Sequence, residues 1–216
     1  MAQVKKDEVR NRILESAERL FQGNGYIGTT INQIAKESEL ASSTIYVYFP
    51  SKLSIIFAII EPWLLAQVRL TEREAAKIED AHERLEFVFW RFWHDIPLAR
   101  DNYMNNLLQA LAVSTDSDNY QPTILNMLSQ HMQKLITECL PVDRRDRFDA
   151  NSIAQLAVFA FDGFVINHHL NSALVNDRKI TKVICEMILG ESSSKAAHPT
   201  SKRPTAPSTK RHKQDT

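Results

Sequence analysis

Glycine is scarce in this chain, at five of 216 residues. A chain so poor in the residue that tight turns favour suits an all-helical fold. Cysteine is scarcer, with Cys139 and Cys185 far apart among apolar neighbours. That pair reads as buried free thiols in a reducing compartment, and no neighbouring cation marks either as a redox sensor. Net charge is also lacking, since 26 Lys and Arg balance 26 Asp and Glu. No global field draws a polyanion, so any such attraction has to be local. The first segment, MAQVKKDEVRNR, has no apolar stretch of a secretion signal. The longest apolar run, Leu53 to Val68, is interrupted by Glu61-Pro62 and reads as too short to span a bilayer. A cytoplasmic protein without a membrane partner is the expectation.

Catalytic signatures are missing as well. The chain has no G-x-S-x-G, no G-x-G-x-x-G after a strand, no phosphate-binding loop and no H-E-x-x-H. Cysteine and histidine spacing makes no zinc site. Glu79-x-x-His82 is half of a di-iron motif that needs a second copy, and His168-His169 point to different sides of a helix. No catalytic residue, metal or cofactor is assigned, and the chain is not read as an enzyme.

What is present is the stretch TTINQIAKESELASSTIYVYFPSK, Thr29 to Lys52. Thr30 and Gln33 fit a capping box that opens a helix with Ile31, Ile34, Ala35 and Ser38 inward. The turn falls at Glu39-Leu40-Ala41, with Leu40 plugging a small core. Ser42 or Ser43 is placed to cap a second helix, Ile45 and Phe49 point inward, and Pro50 ends it. Ser51 caps the next. The outer face is built of small hydroxyls and phenols, Ser43 and Tyr46 with Val47, flanked by Thr44 and Tyr48. Short side chains allow close approach to DNA, and hydroxyls donate to phosphates or base edges. The second helix of a helix-turn-helix is the one that enters the major groove.

The string T-I-x-x-I-A-x-E-S, then L, then T-I-Y-x-Y-F-P-S-K, with Gly25-Tyr26 before it, resembles the DNA-binding domain of TetR-type transcriptional regulators. Glu39 stands where a turn glycine is common, so this turn has to accept a side chain. The resemblance implies that Thr29 and Thr30 touch phosphates, that Ser42, Ser43, Thr44 and Tyr46 face the groove, and that Tyr48 and Lys52 clamp backbone phosphates. The competing role for Tyr46 and Tyr48 is as half-buried aromatics of the head.

Periodicity predicts an N-terminal three-helix head and a C-terminal helical bundle, about nine helices in total. The expected divisions are a helix-turn-helix domain over 8–52, a bundle over 53–190 and a tail over 191–216. Residues to about Asp7 read as frayed, and helix one as running from Glu8 to Gln22 with Gly23-Asn24-Gly25 stopping it. Pro62 should kink the fourth helix or end it near Glu61. Later helices are expected from about Ala81 to Asp95, with Leu85, Val88, Phe89 and Phe92 inward and Pro97 ending it, and from Asp101 to Val113. Another opens at Pro122, with Ile124, Leu128, His131, Leu135 and Cys139 inward. The last two run from Asn151 to Asn171 and from Asp177 to Leu189. They carry more apolar faces than one subunit covers, which predicts a homodimer through them, as the resemblance also implies. The tail is rich in Ser, Thr, Pro and Lys, with six basic against two acidic residues; it reads as disordered and able to add salt-sensitive DNA affinity.

The resemblance further implies a small-molecule effector in the bundle that releases a palindromic operator in double-stranded DNA. Its candidate lining is Phe89, Trp93, His94, Tyr103, Leu107, His131, Phe161 and Asp162, with core packing as the alternative for each. Asp162 stands out because a carboxylate within an apolar helix needs a partner. The function expected is therefore a homodimeric repressor. The alternatives are a DNA binder controlled by a protein partner or by no effector, and an all-helical enzyme or interaction module.

Overall fold

The computed structural model describes residues 2–100, 102–115, 118, 123–145, 148–170 and 178–190. Every regular element among them is helical. Helix α1 spans Ala2–Gly28, α2 Ile31–Glu37, α3 Ser42–Tyr48 and α4 Lys52–Ala75. Helix α5, Ala81–Trp90, continues through a π-helical segment, Arg91–Asp95, into α6, Ile96–Leu98. Then follow α7 at Tyr103–Ala112, α8 at Thr123–Cys139, α9 at Ala150–His169 and α10 at Lys179–Leu189. With α5 and α6 taken as one body, nine helices are described. The expected starts at Asp101, Pro122 and Asp177, the end at Asn171 and the 191–216 tail lie outside the described residues.

The head is built around Ile13, Ala17, Phe21, Ile34, Ala35, Ile45 and Phe49, all buried. Helix α1 is longer than its sequence suggests at both ends. It is helical from Ala2, and Gly23 does not stop it; the break is at Gly25, whose φ of 75° lies where glycine is at ease. Thr30 and Gln33 form the expected capping box: Gln33 N donates to Thr30 Oγ1 at 3.3 Å and Thr30 N to Gln33 Oε1 at 2.7 Å. Glu39 takes a left-handed φ of 53°, so the turn does hold a side chain where glycine would be easier. Neither Ser42 nor Ser43 caps α3: Ala41 stands at the cap without a side-chain bond, and Ser42 Oγ instead donates to Asn32 Oδ1 at 2.8 Å. Helix α3 ends at Tyr48, with Phe49 extended ahead of Pro50, as a residue before proline prefers.

Helix α4 is capped by Ser51 and runs unbroken through Pro62. Proline there removes one ladder donor, but Leu53, Ile55, Ile56, Ile60, Leu64 and Val68 are buried on both sides of it, and that packing holds the helix together. At 24 residues, α4 is long and apolar enough by composition to cross a membrane, as is α9, contrary to the short run read in the sequence. Of the apolar window in α4, 33% is buried within the protein, against 28% in α9.

The π segment is the other departure. From sequence this helix ends at Pro97, and Trp93 is not on its inward stripe of Leu85, Val88, Phe89 and Phe92. The wider turn shifts the register, so that Phe92 and Trp93 are both buried and the helix carries on to Leu98. His131 is half-exposed; Met132 takes the inward place beside it. Cys139 and Cys185 are free and buried, and burial pushes their thiols up to about 11 and about 12, which keeps them inert.

Candidate nucleic-acid interface

Helix α3 is anchored by one face and open on the other. Ile45 and Phe49 are buried, whereas Tyr46 is 55% and Val47 75% exposed. Ser43 is exposed beside them, and Ser42, Thr44 and Tyr48 are half-buried at the flanks. Tyr48 packs against the head core as well as bordering the open face. Asn32, Lys36 and the Thr30 cap are exposed on α2. Arg10 of α1 lies over the Phe49 ring, with its guanidinium carbon 5.3 Å from the centroid. The open face therefore offers hydroxyls and a phenol, with cations only at its edges.

Two residues expected to hold phosphate are turned inward. Thr29 is fully buried, and its Oγ1 donates to Gly25 O at 2.9 Å and Leu20 O at 3.2 Å. Its side chain cannot reach DNA from there. Lys52 Nζ donates to Tyr26 O and Thr29 O, both at 2.7 Å, and sits 4.1 Å from the Tyr26 ring centroid. It works as a staple between α4 and the end of α1. Burial lowers its pKa and raises that of Tyr26 to about 12.

The head meets the bundle where α1 breaks. Asn106 of α7 is buried; its Oδ1 accepts from Tyr26 N at 2.7 Å and its Nδ2 donates to Phe21 O at 2.9 Å. Gln109 Oε1 accepts from Ile27 N at 3.3 Å. Tyr103 OH donates to Glu18, and Arg100 bonds both. Burial first, then the Glu18 bond, pushes the Tyr103 phenol up to about 12. This joint was missed from sequence. Its only signal is Asn106 itself, a polar residue on the inward stripe of Tyr103, Leu107 and Ala110.

Among the described residues, the eight expected to line an effector site do not gather around one cavity. Phe89, Trp93 and Phe161 are packed core. Phe89 stacks on Trp93 at 4.6 Å, Trp93 on Phe164 at 5.3 Å, and Phe92 lies 4.9 Å from Phe161. Trp93 Nε1 donates to Ala157 O at 2.9 Å. Leu107 is buried, and Tyr103 belongs to the joint with the head. His94 stacks on Trp90 and pairs with Asp95. Asp162 is half-buried, and burial raises its carboxyl pKa. Tyr103 borders a void of about 10 Å³ at that joint, and His131 borders a cavity of about 20 Å³ lined by Val68, Thr71, Val88 and Phe92 among others, room for about one water. Its Nδ1 lies 2.9 Å from Glu72, which Lys134 also contacts at 3.3 Å. Burial acts to raise the Glu72 carboxyl, but these two partners outweigh it and hold it below the ordinary carboxylate range. No cluster of metal-ligating side chains occurs among the described residues.

Residues 13–59, most of the head and the first turns of α4, match the family described as bacterial regulatory proteins, tetR family. The regulator HbdR of Aromatoleum sp. strain CIB is 32% identical over 95 residues, which are 44% of this chain and 42% of HbdR. The match thus spans less than half the length of that relative. Over the whole fold, a TetR-family regulator from Pectobacterium atrosepticum superposes with a TM-score of 0.55 at 18% identity, covering 86% of this chain and 94% of that one. RolR, solved with resorcinol, superposes with a TM-score of 0.59 at 16% identity, covering 91% and 94%.

Proposed function

Because the chain belongs to the TetR family of bacterial regulatory proteins through its N-terminal domain, we propose that it is a cytoplasmic, homodimeric repressor. The head over 8–52 reads a palindromic operator, and the helices over 53–190 pair the heads. The observation that carries this reading is the exposed Ser43–Tyr46–Val47 face of α3, held out by buried Ile45 and Phe49. A phenol and hydroxyls on a rigid helix can enter a major groove, where short polar groups reach base edges. Thr30, Ser42, Thr44 and Tyr48 border that face.

Two apolar stripes support the pairing. Leu156, Phe159, Ile166 and Leu170 follow helical spacing along α9, and all are more than half exposed. Val183 and Met187 repeat the pattern on α10. A dimer sealed by these faces would present two α3 helices to successive major grooves, about 34–36 Å apart. Release then needs an effector that prefers the dimer whose heads no longer match that spacing.

The packed aromatic core favours a second reading of control, in which a protein partner or no effector governs release. To bind beside His131, a small molecule would have to part Phe92 from its neighbours and enlarge that cavity. Gel-shift with the DNA flanking the chain's own gene tests the main reading. Binding to a near-palindrome that is lost in Tyr46→Ala supports it; no binding to any such DNA overturns it.

A further inference from the structure

A groove of about 230 Å³ runs along α5, lined by Glu83, Glu86, Phe87, Trp90 and Arg178. What it offers a further cation is two carboxylates beside Phe87, since the Trp90 ring already stacks on His94. Arg178 already lies over Trp90, with its guanidinium carbon 4.5 Å from the ring centroid, an arrangement the ring's negative face favours. Glu83 and Glu86 form no ion pair among the described residues.

Helix α10 starts at this groove and runs back along α5. Arg178 precedes it over Trp90, and the carbonyl of Gly190, after its last turn, accepts from His82 Nε2 at 2.7 Å. The 26 residues that follow Gly190 hold Lys195, Lys202, Arg203, Lys210, Arg211 and Lys213 against Glu191 and Asp215, a net charge of +4. Trp90 is eight residues along α5 from His82, roughly 12 Å at helical rise. Lys195 is five residues past Gly190 and reaches about 17 Å when extended. The length of chain between Gly190 and Lys195 is thus enough for a cation of the chain's own to reach the mouth of an acidic groove.

We propose that the 191–216 segment docks in cis on this groove, its first lysines pairing with Glu83 and Glu86 beside Phe87. Held there, the segment's charge is withheld from DNA, so the head binds without a general polycationic contribution. The docking does not depend on the repressor reading, and its test needs no DNA.

The test is limited trypsin digestion of the full chain, following cleavage after Lys195 and Lys202 by mass. Cleavage in E83Q/E86Q should be at least about fivefold faster than in the unaltered chain, because proteolysis tracks the undocked population. An exposed acid elsewhere, in Glu138→Gln, should leave the rate unchanged, and protection should not vary with protein concentration. Thermal melts of both variants check that the bundle is intact. Equal rates in E83Q/E86Q and the unaltered chain overturn the proposal. So does equal acceleration in Glu138→Gln, which would mean diffuse charge. Protection that grows with concentration overturns it too, since the segment would then dock on a second copy.

Discussion

Asn106 spans the break in α1: its carboxamide accepts from Tyr26 N at 2.7 Å and donates to Phe21 O at 2.9 Å. The two backbone groups flank Gly25, where the helix ladder is interrupted. One side chain of the bundle therefore supplies what the head's own helix cannot. Asn106→Leu keeps the branched shape and removes both bonds. A buried donor and acceptor left bare cost about 1–3 kcal/mol each, and at about 2–4 °C per kcal/mol for a chain of this size that lowers the melting temperature by roughly 4–24 °C. Asn106→Asp should also destabilise, because a carboxylate accepts from Tyr26 but cannot donate to Phe21. Unchanged melting in both variants would show that α7 does not hold the head.

The head was legible because its signals are local. The Thr30 and Ser51 caps, the inward Ile34, Ile45 and Phe49, and the open Tyr46 all follow from neighbours in sequence. The inward stripe Leu85, Val88, Phe89 and Phe92 was legible for the same reason. What failed depends on contacts and turns that periodicity and capping patterns do not register. Lys52 turns inward because the end of α1 presents two carbonyls, and Thr29 because Gly25 and Leu20 do. Trp93 is drawn into the core by a π turn that no periodicity announces. The expected effector lining scattered because a polar or aromatic residue on a bundle helix does not say whether it meets a cavity or another ring.

Lys52 can be separated from a phosphate clamp by one substitution. As a staple, it gives charge-assisted bonds to Tyr26 O and Thr29 O, and bonds to charged groups contribute about 1.5–3 kcal/mol each. Lys52→Met should lower the melting temperature by several degrees, roughly 2–4 °C per kcal/mol. Loss of a phosphate contact would instead leave melting alone and reduce the salt slope of DNA binding by about one. A stable Lys52→Met with a shallower salt slope would restore the clamp role.

Asp162 sets a pH dependence. It is half-buried in α9, and burial raises its folded-state pKa above the unfolded value. Such a group contributes stability that is fully present below the unfolded pKa, about 3.9, and lost as pH rises through the folded pKa. Asp162→Asn should therefore be more stable than the unaltered chain at neutral pH, with the advantage disappearing below about pH 4. Melting curves across pH 3 to 8 measure it. An unaltered chain more stable than Asp162→Asn at pH 7 would mean that the carboxylate has a partner across the dimer or in a ligand.

Gly163 lies on the same stripe as Phe159 and Ile166, and a side chain built there meets nothing within 4 Å of the protomer. A glycine at the centre of an exposed apolar stripe lets a second helix approach closely. Two substitutions follow from this. Phe159→Glu places a charge where an aromatic ring, 68% exposed in the protomer, would be covered, and a buried unpaired carboxylate costs several kcal/mol. It should convert a species of twice 24.7 kDa into one of 24.7 kDa in sedimentation at micromolar concentration. Gly163→Leu should behave differently: leucine improves helix propensity by up to about 1 kcal/mol over glycine and has room in the protomer. It should weaken the dimer without lowering helix content. In both variants, operator binding should fall more steeply than the exposure of α3 would suggest, because each head then binds its half-site without the effective concentration supplied by the other. A chain that sediments as a dimer with Glu at 159 would place the pairing surface elsewhere.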